Sequence, residues 1–190
     1  MRARIGVMVL ALALAVADVG CAQPAPRALI SVGHGDTLKL TSPDFRAGGE
    51  IPLADTQYGD NRFPGLAWTG APAGAKALVL ILQDTDVGFG GAALVHCVVI
   101  NIPAGATSLP QGMAVPPPPA RYGPNYLKGA PPYAGPKPPP GPKHHYHFQL
   151  FALDAPLSLP ADAGYDDLTA AMRGHVLASG EIVGLSGAPQ

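Results

Sequence analysis

A proline-rich tract in the middle of the chain limits what the rest of the sequence can form. Residues 103–142 hold fourteen of the 23 prolines in this 190-residue sequence, four of them consecutive at 116–119. Proline lacks a backbone N–H, so neither a helix interior nor a central strand can run through such a tract. Together with 24 glycines, this composition favours a loop-rich, mainly β fold (β-rich α+β) over a helical bundle.

Continuous apolar runs on either side of the tract predict the central strands of a sheet. Residues 77–82, 94–100 and 146–153 lie between turn residues, a pattern typical of strands covered on both faces. Because the third run follows the tract, core elements bracket the tract on both sides. We therefore interpret it as a long ordered loop with a functional role rather than as a linker between domains.

Weaker patterns predict the remaining elements. Residues 38–41 alternate as a strand does, and Glu50 to Leu53 are predicted as an edge strand, where proline is tolerated. One helix is predicted from Tyr165 to Ala178, because apolar residues recur there at helical spacing and Gly180 provides a stop. Residues 181–185 are expected to return as a short strand.

The first 22 residues have the pattern of an export signal. Arg2 and Arg4 precede an apolar, uncharged run at 5–16, which is too short to span a bilayer comfortably. We predict a signal peptide at 1–22, a tether at 23–29 and one domain at 30–190, in a periplasmic or secreted protein. A lipoprotein acylated at Cys21 and an uncleaved anchor are the alternatives, and membrane contact is expected only with lipidation.

Charge and cysteine content argue against several classes of protein. The formal charge of −1 gives no electrostatic argument for binding nucleic acid or an anionic membrane surface. Once residues 1–22 are removed, Cys97 is the only cysteine in the sequence. No internal disulfide is therefore expected, despite the oxidising destination.

Polar residues near the ends of the apolar strands form a candidate site. Asp84 and Asp86 follow the first strand and lie on one side if the extended geometry continues, although aspartates commonly end strands. His96 lies within the second strand, on the face predicted to carry Leu94 and Val98. Burying an imidazole without a partner costs about 1–3 kcal/mol, so we expect the Asp84 carboxylate to hold it.

The third strand completes this set of side chains. Alternation puts His144 and Tyr146 on one face, and His145 and His147 on the other. Three strands would then deliver five polar side chains to one end of a sheet: Asp84, Asp86, His96, His144 and Tyr146.

Three kinds of chemistry fit this arrangement. The residues lack the short, fixed spacing of a zinc motif, so neither a metal nor a cofactor is predicted. A hydrolase or isomerase using a His/Asp acid–base pair is the alternative, but no activated nucleophile is visible beside the histidines. We favour a small anion pocket, in which imidazole, tyrosine and loop amides donate hydrogen bonds, with an exposed amide at Gly135.

Several segments in register resemble the phosphatidylethanolamine-binding proteins, most closely their bacterial Raf-kinase-inhibitor-like branch, over residues 30–186. The segments are PGLAWTGAPAGAKALVLILQDTD, LVHCVVINIPAG, YAGPKPPPGPKHHYHFQLFALD and AAMRGHVLASGEIVG. The resemblance implies a large antiparallel sheet packed on a smaller one, with a C-terminal helix. It also implies an anion pocket for phosphate, phosphoester or phospholipid head groups.

The resemblance implies a set of ligand-binding residues as well. They match the family's acidic motif, its strand histidine, its glycine–proline loop and the ends of its His-Arg-Tyr motif: Asp84, Asp86, His96, Gly135, Pro136, His144 and Tyr146. His145 stands in place of the arginine of the last motif, which removes a permanent charge and a bidentate donor. No catalytic residue is predicted.

We therefore expect an exported binding protein whose partner is a small anionic ligand or a lipid head group. The resemblance also allows a protein target and an inhibitory or regulatory role. The sequence leaves the oligomeric state open, with a homodimer as one option.

Overall fold

The computed structural model describes residues 37–87, 93–125 and 131–190. Within these ranges the chain forms eight strands and one α-helix, here numbered in chain order: β1 (Lys39–Thr41), β2 (Leu66–Thr69), β3 (Ala77–Asp84), β4 (Leu94–Pro103), β5 (Ser108–Leu109), β6 (Arg121–Tyr122), β7 (His144–Leu153), α1 (Tyr165–Met172) and β8 (Val176–Ser186). The predicted signal peptide and tether lie outside the described residues, as does part of the predicted loop at 84–91.

Strand β3 is the centre of the larger of two antiparallel sheets. The large sheet has the order β6-β4-β3-β7-β8, and the small sheet has the order β1-β2-β5. Every residue of β3 is buried, as expected for an apolar strand that is covered on both faces. The predicted mainly β fold, with two antiparallel sheets and one helix near the C-terminus, is confirmed.

Apolar layers cover both faces of the large sheet. On one face, the even-numbered leucines of β3 pack with residues of the small sheet, such as Trp68. On the other face, Val79 and Ile81 pack against Leu168 and Met172 of α1. Full burial of each aliphatic side chain contributes roughly 1.5–3 kcal/mol, so these two layers hold the ends of β3, β4 and β7 in fixed positions.

The C-terminal helix is shorter than the sequence predicts. It ends at Met172, and the prediction that continued it to Ala178 is wrong. Gly174 adopts a φ of 83°, a left-handed conformation that glycine accepts readily and that ends a helix. From Val176 the chain pairs with β7 as a strand of eleven residues, which includes the strand predicted at 181–185.

The edge strand predicted from Glu50 to Leu53 does not form. Glu50 makes a single parallel bridge to Leu185, and Ile51 donates a hydrogen bond to the carbonyl of Leu185 at 2.8 Å. The chain then turns through a short 3-10 helix at Leu53–Asp55. In the described ranges, no helix has the length and hydropathy that a membrane crossing requires.

The close approach of β8 to β1 yields a test of the fold. A Cβ added to Gly180 would lie 2.8 Å from the Cβ of Leu38 and closer still to its carbonyl. Because overpacking typically costs 1–3 kcal/mol, we expect Gly180→Ala to lower the free energy of unfolding by about that amount in urea titrations. Gly105→Ala, which meets open space, is the matched control, and equal effects of the two substitutions would contradict the packing described.

Candidate functional site

The end of β3 and the beginnings of β4 and β7 meet at one end of the large sheet. Asp84 pairs with Leu94 on one side and with Tyr146 on the other. His144 begins β7, two residues before Tyr146 and therefore on the same face. The structure thus brings Asp84, His144 and Tyr146 together, in the arrangement that the sequence predicts.

Three aromatic rings form the centre of this site. The ring of Tyr146 is fully buried and lies between two imidazoles. Its centroid is 5.4 Å from that of His96, edge to face, and 6.5 Å from that of His144, nearly parallel. We call His96, His144, Tyr146 and Asp84 the imidazole cluster.

A β-bulge turns His96 into this cluster. Consecutive residues of β3 pair with Cys97 and Val95, so His96 is an extra residue in β4. Val98 packs toward α1, whereas the His96 ring lies against Tyr146. The prediction that placed His96 and Val98 on one face is wrong, because regular alternation fails at a bulge.

A backbone carbonyl holds the imidazole of His96. Its Nδ1 lies 2.7 Å from the carbonyl oxygen of Ala134, and the Ala134 amide donates to the His96 carbonyl at 3.1 Å. A carbonyl oxygen only accepts, so Nδ1 carries the hydrogen. Nε2 is buried and has no hydrogen-bond partner among the described residues.

Asp84 holds the other imidazole. One carboxylate oxygen lies 2.8 Å from Nδ1 of His144, and the second accepts from the amides of Asp86 and Val87 at 2.9 and 3.3 Å. The prediction that Asp84 holds His96 is therefore wrong. Since a carboxylate only accepts, His144 donates through Nδ1, which leaves its Nε2 for other contacts.

Asp86 lies outside the imidazole cluster. Strand β3 ends at Asp84, so the extended geometry that would place both acids on one side does not continue. The Asp86 carboxylate instead accepts from the amide and from Nδ1 of His145, at 2.6 and 2.9 Å. His145, which stands in place of the arginine of the His-Arg-Tyr motif, thus connects the loop after β3 to β7.

His147 also faces away from the cluster, as alternation predicts. Its Nδ1 lies 3.1 Å from a carboxylate oxygen of Glu181, and its Nε2 lies 3.4 Å from the hydroxyl of Thr85. The bond to His147 lowers the pKa of Glu181 against the opposing effect of burial. The four-residue run at 144–147 therefore divides between two faces of the sheet.

Gly135 and Pro136 fix the segment that holds His96. The Gly135 amide donates to Asn61 at 2.8 Å, so the prediction of an exposed amide is wrong. A Cβ at Gly135 would lie 2.6 Å from the Asp55 carbonyl, which explains why glycine is needed. The carbonyls of Gly135 and Pro136 accept from the side chain and the amide of Gln57, at 2.6 and 2.9 Å.

Sequence reasoning missed this supporting turn. Tyr133 donates its hydroxyl to the Asp55 carbonyl at 2.7 Å, and Asn61 donates to the Tyr133 carbonyl at 2.9 Å. These partners are more than 70 residues apart along the chain, so no local pattern links them. Their effect is to hold Ala134 beside the start of β4.

The electrostatics of the cluster favour the neutral forms of His96 and Tyr146. Burial lowers the pKa of His96, although the Ala134 carbonyl and the charge of Asp84 raise it. Burial raises the pKa of Tyr146, and the charge and side-chain oxygens of the nearby Asp84 raise it further against the opposing effect of the Lys137 backbone, so its hydroxyl keeps its proton. That hydroxyl, like Nε2 of His96, is buried and has no hydrogen-bond partner among the described residues.

A family model described as phosphatidylethanolamine-binding protein matches residues 41–187. The chain belongs to the phosphatidylethanolamine-binding protein family. This match covers strands β2 to β8 and α1, together with the last residue of β1, and it confirms the resemblance that the sequence motifs indicate.

Curated relatives of this family member align with about three quarters of the chain. A UPF0098 protein of Methanothermobacter thermautotrophicus is 36% identical over 153 residues, which cover 78% of this chain and 97% of the relative. LppC of Mycobacterium tuberculosis, named as a candidate lipoprotein, is 36% identical over 146 residues, 76% of this chain and 66% of LppC.

Solved structures of the phosphatidylethanolamine-binding protein family have the same fold. The homologue CT736 of Chlamydia trachomatis superimposes with a TM-score of 0.72 at 32% identity, covering 81% of this chain and 99% of its own. Escherichia coli YbcL superimposes with a TM-score of 0.68 at 23% identity, over 80% and 99% of the two chains, which supports the fold alone.

A separate cavity of about 400 Å³ contains none of the predicted site residues. Arg62 provides its positive charge, but Arg62 already pairs with Asp55 at 2.8 Å and lies 3.7 Å from Asp44. Two carboxylates thus oppose any bound anion there. The cavity is lined by residues 60–63, 112–114, Tyr122 and 131–133.

No group of three or more histidine, cysteine, aspartate or glutamate side chains is placed to hold a metal ion in the described ranges. The imidazole cluster offers instead two imidazole nitrogens and one hydroxyl, positioned by a carbonyl and a carboxylate. Such groups can form hydrogen bonds with a small oxyanion.

The Asp86–His145 brace predicts a specific pH dependence of stability. Although burial opposes it, the amide and imidazole of His145 lower the pKa of Asp86. A lowered folded pKa contributes stability above the unfolded value, about 3.9, and this contribution is lost as the pH falls through the folded value. In urea titrations, Asp86→Asn should therefore be less stable than wild type near pH 6, with the difference shrinking below about pH 4.

The exposed Asp162 provides the control for this experiment. Asp162→Asn should differ little from wild type across the same pH range. A destabilisation by Asp86→Asn that is equally large at pH 3 and pH 6 would contradict the assigned role of the carboxylate charge.

Proposed function

We propose that this family member is an exported binding protein whose imidazole cluster takes a small oxyanion, such as phosphate, a phosphoester or a phospholipid head group. One observation carries the proposal: two buried polar atoms, Nε2 of His96 and the hydroxyl of Tyr146, lack partners among the described residues. Both belong to rings in direct contact. Together with His144, whose ring lies beside that of Tyr146, we expect them to contact one oxyanion.

The energetics favour a polar occupant. A buried polar atom without a partner costs about 1–3 kcal/mol, and a ligand oxygen that reaches it recovers much of this cost. Because Asp84 holds the ring of His144 at 2.8 Å, the imidazole is oriented before the ligand arrives. Preorganisation of this kind raises affinity because less side-chain conformational entropy is lost on binding.

The charge of the site comes from imidazole rather than from lysine or arginine. Protonated His144 would donate from Nε2 to the anion while Nδ1 stays on Asp84. Imidazoles gain charge at mildly acidic pH, so we expect anion binding to weaken as the pH rises through neutrality.

A phosphate titration followed by NMR of the histidine side chains tests this proposal. We expect millimolar phosphate to shift the signals of His96 and His144, and His144→Asn to weaken binding about tenfold or more, because a charged hydrogen bond contributes about 1.5–3 kcal/mol. His175→Asn is the matched control, since His175 also pairs through Nδ1 with a carboxylate, at 2.7 Å, but on an exposed surface. Absence of site-specific shifts would overturn the proposal.

The Asp84–His144 pair supports one alternative, a hydrolase or isomerase in which this pair acts as general acid and base. A turnover screen with phosphoesters and carboxylic esters distinguishes the two functions. A binding protein should show no turnover above the buffer rate, whereas an enzyme should lose its rate in His144→Asn with the substrate still bound.

We also propose export through the segment at 1–22. The candidate lipoprotein among the relatives supports lipid attachment at Cys21 as one form of it. A protein target stays a prediction of the family resemblance, and the oligomeric state stays open, with a homodimer as one option.

A further inference from the structure

Two fixed acceptors decide which atoms of the imidazole cluster donate and which accept. The Ala134 carbonyl takes the Nδ1 hydrogen of His96 at 2.7 Å, and the Asp84 carboxylate takes that of His144 at 2.8 Å. A neutral imidazole has one N–H, so the buried Nε2 of neutral His96 is an acceptor. The hydroxyl of Tyr146 and Nε2 of protonated His144 are the donors.

The surroundings of His96 favour its neutral form, in which Nε2 is an acceptor. Its ring is enclosed by the Ala134 segment on one side and by Tyr146 on the other. The charged groups that face it are Asp84, whose charge favours the imidazolium, and His144, whose charge opposes it. The Asp84 carboxylate already accepts hydrogen bonds from His144 and from two backbone amides. The effect of burial on His96 is larger than the effect of the Asp84 charge, so the pKa of His96 is lowered.

We propose that the site selects oxyanions that still carry a proton, such as the monoanion of a phosphomonoester, over phosphodiesters and sulfate. The protonated oxygen would donate to Nε2 of His96, and the ionised oxygens would accept from Tyr146 and His144. A phosphodiester has the same charge but no proton, so its oxygen would face the lone pair of Nε2. This inference rests on the proposed function and concerns the specificity of that site.

This selection distinguishes phosphomonoesters from phosphodiesters even at a pH where both carry the same charge. A phosphomonoester loses its second proton at a pKa of about 6, so at pH 5 it is a monoanion, like a diester. Most phospholipid head groups are diesters, whereas free phosphomonoesters and phosphatidic acid are monoesters. The site is therefore expected to hold the phosphomonoester group, whether free or at a lipid surface.

Calorimetry with methyl phosphate, dimethyl phosphate and sulfate at pH 5 tests the selection. We expect methyl phosphate to bind at least about tenfold more tightly than the other two, a difference of about 1.4 kcal/mol. Its advantage over dimethyl phosphate should shrink at pH 7.5, where it is largely a dianion. If all three bind equally, the selection is overturned while the oxyanion site stands; if none binds, the proposed function fails as well.

His96→Asn identifies the atom responsible. The asparagine amide can still donate to the Ala134 carbonyl from near the position of Nδ1, but nothing replaces the acceptor at Nε2. We expect the affinity ratio of methyl phosphate to dimethyl phosphate to fall to about one. A ratio kept at the wild-type value would refute the role of His96, and the wild-type comparison decides the selection even if the variant does not fold.

Vesicles distinguish the two sources of the ligand. Retention on phosphatidic acid but not on phosphatidylglycerol would support selection at a lipid surface. Retention on neither, together with binding of methyl phosphate, would support a free monoester. Retention on phosphatidylglycerol that is lost in His96→Asn would overturn the selection.

Discussion

The hydrogen bond from His96 to the Ala134 carbonyl connects the regular part of the fold to its irregular part, and the candidate site depends on it. His96 belongs to a strand fixed by two apolar layers, and Ala134 belongs to the proline-rich tract. Tyr133 and Gly135 anchor this part of the tract to residues 55–61. The imidazole therefore takes its orientation and its tautomer from a loop with almost no secondary structure of its own.

Patterns in the sequence predict the parts of this structure that repeat. Strands β3, β4 and β7 follow from continuous apolar runs, because a strand buried on both faces needs apolar residues at every position. The same reasoning predicted α1 too long. Leu168, Met172 and Val176 are spaced four residues apart, as in a helix, and all three pack in one apolar layer, but Val176 does so from a strand. The burial of β8 in fact alternates with a period of two, and Gly174 marks the change.

The parts of the site that could not be predicted are departures from repetition. Alternation assigns Tyr146 and His144 correctly, but it fails for His96 because a bulge depends on the pairing with β3 and not on β4 alone. The role of Gly135 depends on Asp55 and Asn61, more than 70 residues earlier. The family resemblance names these positions without saying what each one contacts. The burial argument that paired Asp84 with His96 supplied a partner of the right chemistry, but a backbone carbonyl takes that place.

The bulge in β4 also shows how a site can be added to a core without interrupting it. Val95 and Val98 both face α1, although they are three residues apart and a regular strand would turn one of them away. From Val95 to Ile100 the two faces of β4 alternate regularly when His96 is left out of the count. The bulge inserts His96 as an additional residue, so it replaces none of the apolar side chains that pack in the two layers. A polar site residue can therefore be gained at this point of the strand without loss of an apolar contact.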